Sequence, residues 1–175
     1  MQNETIIAGF GGQGLLFAGR VLAQAALAEG LEVTWFPSYG PEMRGGTANC
    51  TVIISDEEIG SPQVRNPKAV IAMNLPSLDK YEPLVQKGGF LVINSSLVNR
   101  EAKRKDIQVI AIPATEEAEK LGDKRLANII LLGGLVKQAG FLPLKAVEEA
   151  LLKELGGKKE MQEMNLKALK CGVEY

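Results

Sequence analysis

The 175-residue chain carries 20 Lys and Arg against 21 Asp and Glu, and the net charge of −1 gives no electrostatic reason to expect nucleic acid or an anionic membrane as partner. It contains no His, and its two cysteines, Cys50 and Cys171, stand far apart. Together these exclude Ser-His-Asp and Cys-His nucleophile systems, the usual zinc ligand sets and a four-cysteine iron–sulfur cluster held by this chain.

A chain of this length can bury one core, so residues 1–175 are expected to form a single domain. Residues 5–8, Thr-Ile-Ile-Ala, read as a strand, and a glycine cluster leads from it into a helix over 15–27. Gly30 caps that helix, and residues 31–36 resume as a strand, an opening βαβ unit that implies a parallel sheet. Residues 37–46 hold two prolines and three glycines and are expected to be a loop. Residues 50–55 return to strand character, with a short return strand expected around Ile59 to form a hairpin.

Further strands are expected at 69–73, 90–94 and 107–112, with a short helix from Pro76 to about Tyr81. Helices over 125–138, 144–155 and 159–170 complete the chain, the last two stopped by Gly156-Gly157 and Gly172. The pattern predicts a three-layer α/β fold: a Rossmann-like, doubly wound, mostly parallel sheet with helices on both faces and a hairpin at one edge. The polar N-terminus and the absence of an apolar run near the roughly 20 residues of a membrane span predict a cytoplasmic protein, with both cysteines as buried thiols.

Gly9-Phe10-Gly11-Gly12-Gln13-Gly14 lies between a strand and a helix and matches a G-x-G-x-x-G fingerprint at Gly9, Gly11 and Gly14. Glycines let backbone approach a ligand, and the free N–H groups of the following helix favour an anion such as phosphate. The same residues would also serve tight packing of helix on strand. A nicotinamide cofactor is disfavoured, because the second strand ends in Trp35-Phe36-Pro37 where an acidic ribose ligand is needed; a P-loop is excluded, because no Gly-Lys-Ser or Gly-Lys-Thr follows.

Ligand crevices of open parallel sheets lie beyond the C-terminal strand ends, so the glycine turn and the loop from Ser38 to Gly46 are expected to face each other. Arg44, beside Gly45, offers a donor fork to carboxylate or phosphate, with an internal pair to Glu42 as the alternative. Trp35 and Tyr39 flank the crevice as stacking or packing groups. Asn49, Asn74, Asn94 and Asn128, in or beside apolar runs, read as amides that fix loop geometry.

Through the glycine turn, and above all through the string Pro37-Ser38-Tyr39-Gly40-Pro41-Glu42-Met43-Arg44-Gly45-Gly46-Thr47-Ala48-Asn49, the chain resembles the gamma subunit of the 2-oxoacid:ferredoxin oxidoreductases. The likeness continues through residues 52–62, 72–77, 94–96 and 127–134. It implies a non-redox subunit of a heteromeric enzyme that oxidatively decarboxylates a 2-oxoacid to an acyl-coenzyme A and passes two electrons to ferredoxin. Alpha, beta and delta-type subunits would be the partners, carrying thiamine diphosphate and 4Fe-4S clusters. Catalytic and metal-binding residues are expected in those partners, while Gly9, Gly11, Gly12, Gln13, Gly14, Ser38, Tyr39, Arg44 and Gly45 are the candidates for contact with coenzyme A. The wording of residues 35–49 is nearest to the enzymes acting on 2-oxoglutarate or branched-chain 2-oxoacids, of which 2-oxoglutarate is favoured. The competing reading is a free-standing nucleotide- or coenzyme A-binding regulatory module.

Overall fold

The computed structural model describes residues 1–40 and 46–175. Its strands are β1 (Gln2–Phe10), β2 (Glu32–Tyr39), β3 (Thr47–Ser55), β4 (Ala69–Ala72), β5 (Phe90–Asn94) and β6 (Gln108–Ile112). The helices are α1 (Leu15–Ala28), α2 (Leu75–Tyr81), α3 (Ala114–Lys120), α4 (Ala127–Ala139), α5 (Leu144–Leu155) and α6 (Lys159–Val173). The strands form one sheet in the order β2-β3-β1-β4-β5-β6, in which β1, β4, β5 and β6 are parallel and β3 runs antiparallel to both of its neighbours.

The α/β class and the edge hairpin agree with the sequence reading, but the hairpin is built from other strands. It joins β2 to β3, and β3 inserts between β2 and β1, so the opening βαβ unit is spread across an intervening strand. Burial accounts for this arrangement. Cys50, Val52 and Ile54 of β3 are buried on one face and Ile53 on the other, which suits an interior strand. Strand β2 contains Pro37, which cannot donate to a ladder and is tolerated at an edge. The expected loop from residue 37 therefore begins later, since Pro37, Ser38 and Tyr39 extend β2. No strand forms around Ile59, because β3 already has a partner on each side.

One face of the sheet is covered by α1 and α4, with α5 packed on α1 and α6 on α4. Helix α4 is apolar all round and is buried from Ala127 to Val136, as expected for a helix enclosed between a sheet and a further helix. Each fully buried Ile or Leu along it contributes about 2 kcal/mol of transfer free energy. The other face carries α2, whose Leu78 and Tyr81 pack with Val85 on Ile6, Val70 and Leu91. Asn74 caps α2 by accepting from Ser77 N–H at 3.0 Å. Gly30 ends α1 at φ +75° with Leu31 N–H bonded to Ala26, as expected.

Two further differences have physical causes. Helix α3, which the apolar periodicity did not signal, is only seven residues long, with Ala114 and Ala118 its buried positions. Gly172 does not stop α6 but lies inside it, buried against α4. Cys50 is fully buried, and burial pushes its thiol up to about 12, whereas Cys171 is only partly buried; both are free. No helix among the described residues is long and apolar enough to cross a membrane.

Candidate functional site

The order of the strands places the switch in winding direction between β1 and β4, since the connection from β1 leads toward β2 and that from β4 leads toward β5. Crevices of this fold class open at that point, and the glycine turn sits there. Gly12 and Gly14 adopt left-handed backbone, φ +93° and +73°, and Gly14 is the N-cap of α1 without any side-chain cap. The N–H groups of the first turn are therefore left to a ligand or solvent.

The individual glycines divide their duties. A side chain on Gly9 would collide with the Gln13 carboxamide and press on Met73, and one on Gly14 would lie 2.5 Å from Asn128 Nδ2. These two serve packing. Gly11 donates to Gly46 O at 2.9 Å, tying the turn to the first residue described after the 41–45 segment, while Gly40 on its other side donates to Thr47 O at 2.7 Å. Only Gly12 is exposed with open space where a side chain would stand. The expectation that the two loops face each other is met at these anchors. Arg44 and Gly45 lie outside the described residues.

Gln13, chosen from the sequence as a candidate ligand, is occupied in the turn itself. Its Oε1 accepts from Phe10 N–H at 2.6 Å and from Asn74 Nδ2 at 3.3 Å, which links the end of β1 to the cap of α2. Asn74, Asn94 and Asn128 act as the sequence suggested, while Asn49 lies within β3. Asn94 donates to Met73 O and to Thr115 Oγ1, joining β4, β5 and the start of α3. Asn128 donates to Gly14 O at 2.7 Å and so fastens α4 to the turn. Asn128→Ala is expected to cost about 1 kcal/mol, the worth of one intramolecular hydrogen bond, and to loosen the turn. A urea midpoint equal to that of the parent would refute the tether.

Ser38 and Tyr39 are brought only to the margin. Ser38 is half-buried opposite Asn49, and Tyr39 is largely exposed at the end of edge strand β2. Trp35 does not flank the crevice. It faces α1, where a side chain on Gly19 would lie 3.0 Å from the indole Nε1 and 2.5 Å from Cys50 Sγ. That contact requires glycine at 19 and makes Trp35 a packing residue.

Two cavities adjoin the turn and share Gly12 and Arg125. One, of about 220 Å³, lies toward Phe17, Asn128, Met161 and Asn165; the other, of about 210 Å³, lies toward Asn94, Thr115 and Lys124. Lys124 and Arg125 were not anticipated, and the run Asp123-Lys124-Arg125 just before α4 was the signal available. Arg125 Nη2 pairs with Asp123 at 2.7 Å, and Lys124 pairs with Glu119 at 2.9 Å. The Arg125 guanidinium holds the Asp123 carboxyl below its usual range. An incoming anion would compete with these carboxylates. Among the described residues, no group of three His, Cys, Asp or Glu side chains could hold a metal ion. The described part of the crevice thus offers backbone donors, neutral amides and two paired cations, a set suited to binding rather than proton transfer.

Residues 4–175 match the model of the pyruvate ferredoxin/flavodoxin oxidoreductase family. The chain belongs to that family. It is 41% identical to the ketoisovalerate oxidoreductase subunit VorA of Methanothermobacter thermautotrophicus over 97% of its own length but only 35% of the relative's. It is 38% identical to the 2-oxoglutarate synthase subunit KorC of Methanothermobacter marburgensis, covering 99% of this chain and 96% of that one. The crystal structure of the keto/oxoacid ferredoxin oxidoreductase gamma subunit from Geobacter sulfurreducens superposes with a TM-score of 0.85 at 33% identity, over 98% of this chain and 96% of the other. The same unit therefore occurs both as nearly a whole subunit and as about a third of a longer chain.

Proposed function

We propose that the chain is the gamma subunit of a heteromeric 2-oxoacid:ferredoxin oxidoreductase, working with alpha, beta and delta-type subunits and delivering electrons through them to ferredoxin. The observation that carries this reading is the end-to-end match to subunits of that size, KorC and the Geobacter gamma subunit. The overall reaction joins the acyl group of a 2-oxoacid to coenzyme A, releases carbon dioxide and yields two electrons. We take 2-oxoglutarate as the acid, because the KorC match spans both chains whereas the VorA match spans a third of its partner.

The donor set of this chain does not fit an iron–sulfur cluster, since its two cysteines are a buried thiol in β3 and a lone thiol in α6. Clusters and thiamine diphosphate are assigned to the partner subunits. The share of this chain is assembly and access for coenzyme A. The open backbone at Gly12 and the uncapped start of α1 suit its pyrophosphate, and the bond from Gly11 to Gly46 ties the turn to the start of β3. Ser38, Tyr39, Arg44 and Gly45 belong to this reading as further candidates for contact with coenzyme A.

Arg44→Ala in the assembled enzyme is expected to raise KM for coenzyme A about tenfold with kcat little changed, the loss of one charge-assisted contact. An unchanged KM would discard the cofactor role of Arg44. A lower yield of complex with normal kinetics would instead make it a residue of assembly.

A further inference from the structure

A cavity of about 760 Å³ lies away from the glycine turn. It lies on the face of the sheet that carries α2, at the outer edge, between β6 and the segment 95–107. Its floor is apolar, from Ile93, Val98, Ile107, Val109 and Ala111. Val109 is 41% exposed although it lies in a strand.

The edge beside this cleft lacks the devices that usually keep edge strands from pairing. Strand β2, at the other edge, carries Pro37 and Glu32, while residues 107–112 read Ile-Gln-Val-Ile-Ala-Ile without a charge or a proline. Gln108 N–H points inward to Gly89 O at 2.8 Å, so by the alternation of a parallel ladder the backbone of Val109 and Ala111 points outward. Neither residue appears in a further backbone bond among the described residues.

We infer that β6 and its cleft are the docking site for an extended segment of a partner subunit, which adds a strand to β6 and places alternate apolar side chains in the cleft. This rests on the subunit reading given above. The occupant is a polypeptide of the same enzyme, because in VorA this unit is about a third of one chain and part of its surface must meet the remainder. Charge on the rim refines its chemistry. Arg100 and Arg104 are engaged by Asp79, Glu82 and Asp106, which leaves Lys105 and Glu101 of the lining without an ion pair among the described residues. A segment whose apolar positions are flanked by one acidic and one basic residue fits that rim.

The test compares amide hydrogen exchange in the native complex, purified through a tag on this chain, with the isolated full-length chain. The Val109 and Ala111 amides are expected to exchange at least about tenfold more slowly in the complex. Val109→Lys, which leaves the buried Ile110 and Ile112 in place, is expected to lower recovery of the complex about tenfold at unchanged circular dichroism. Equal exchange of the two amides in both states overturns the docking site while leaving the subunit reading intact. Protection that rises with the concentration of the isolated chain alone names a second copy as occupant and overturns the assignment to a partner subunit. Recovery of the wild-type chain without any partner overturns the subunit reading and this inference together. Should Val109→Lys fail to fold, the exchange comparison on the wild-type protein decides alone.

Discussion

Gly172→Ala is expected to destabilise the protein by about 3 kcal/mol, the upper range for overpacking a close interface. A methyl group at this position of α6 would collide with the Ile130 carbonyl and lie 3.0 Å from the Gly134 backbone nitrogen, and neither obstacle is a side chain that can swing away. Gly133, on α4, makes the reciprocal approach to the Leu169 carbonyl. The two helices are held at glycine-to-backbone distance along this seam, and α4 in turn lies on β4 and β5. Relief of the clash must therefore tilt α6 or push α4 into the sheet, and either opens gaps among Ile129, Leu131 and Leu132, all fully buried. Two-state urea denaturation gives the measurement, with Gly157→Ala as a comparison, since nothing would meet a side chain there. A loss under about 1 kcal/mol for Gly172→Ala would mean that the seam can spread, against the close packing described.

The same glycine marks the boundary of what was legible in the sequence. In a chain read by periodicity, a glycine near the end of an amphipathic run signals a stop, and Gly30 and Gly156 meet that rule with positive φ. Gly172 violates it because a glycine is equally the signature of close helix packing, and only the position of α4 distinguishes the two. The expected hairpin partner of residues 50–55 failed for a related reason. The apolarity of residues 50–55 is local and was visible, although β3 begins earlier, at Thr47; the insertion of β3 between β2 and β1 depends on which strands compete for its two edges. At the site, the local signal was strong: the glycine turn, its strand–helix setting and the fastening role of Asn74, Asn94 and Asn128 were readable. The division of labour among Gly9, Gly11, Gly12 and Gly14 was not, because it is decided by Gln13, Met73, Gly46 and Asn128, three of them remote in sequence. Lys124 and Arg125 escaped for the same reason, as residues remote in sequence that the fold brings to Gly12.

Glu82→Ala is expected to cost about 3 kcal/mol at pH 7, the lower range for removing one partner of a buried ionic group. The side chain is 2% exposed, and it anchors the segment that walls the β6 cleft. Its Oε1 accepts from the N–H groups of Lys103 and of Arg104, the latter at 2.9 Å, and Oε2 accepts from Arg100 Nη1 at 2.9 Å. Burial pushes this carboxyl up, but the backbone N–H of Arg104, the Arg100 guanidinium and the Lys103 N–H together outweigh it and hold Glu82 below its ordinary value of 4.5. A depressed folded-state value fixes the sign of the pH dependence. The stabilisation is fully present above about pH 4.5, where the unfolded side chain is also ionised, and is lost as the pH falls through the lower folded value. The difference between parent and Glu82→Ala should therefore be constant from neutral pH down to about 5 and shrink below 4.5. Glu82→Gln separates charge from shape: it keeps an acceptor for Lys103 and Arg104 but gives Arg100 no anion, and should lose about half as much, with a flatter acid limb than the parent. Arg100 would then keep the Glu101 carbonyl at 2.8 Å and, as its anion, Asp79 at 2.7 Å on the exposed side, where a carboxylate is worth little. If denaturation midpoints of parent and Glu82→Ala instead ran parallel from pH 7 to pH 3, the charge on Glu82 would not be what holds the segment, and its methylene packing would remain as the cause.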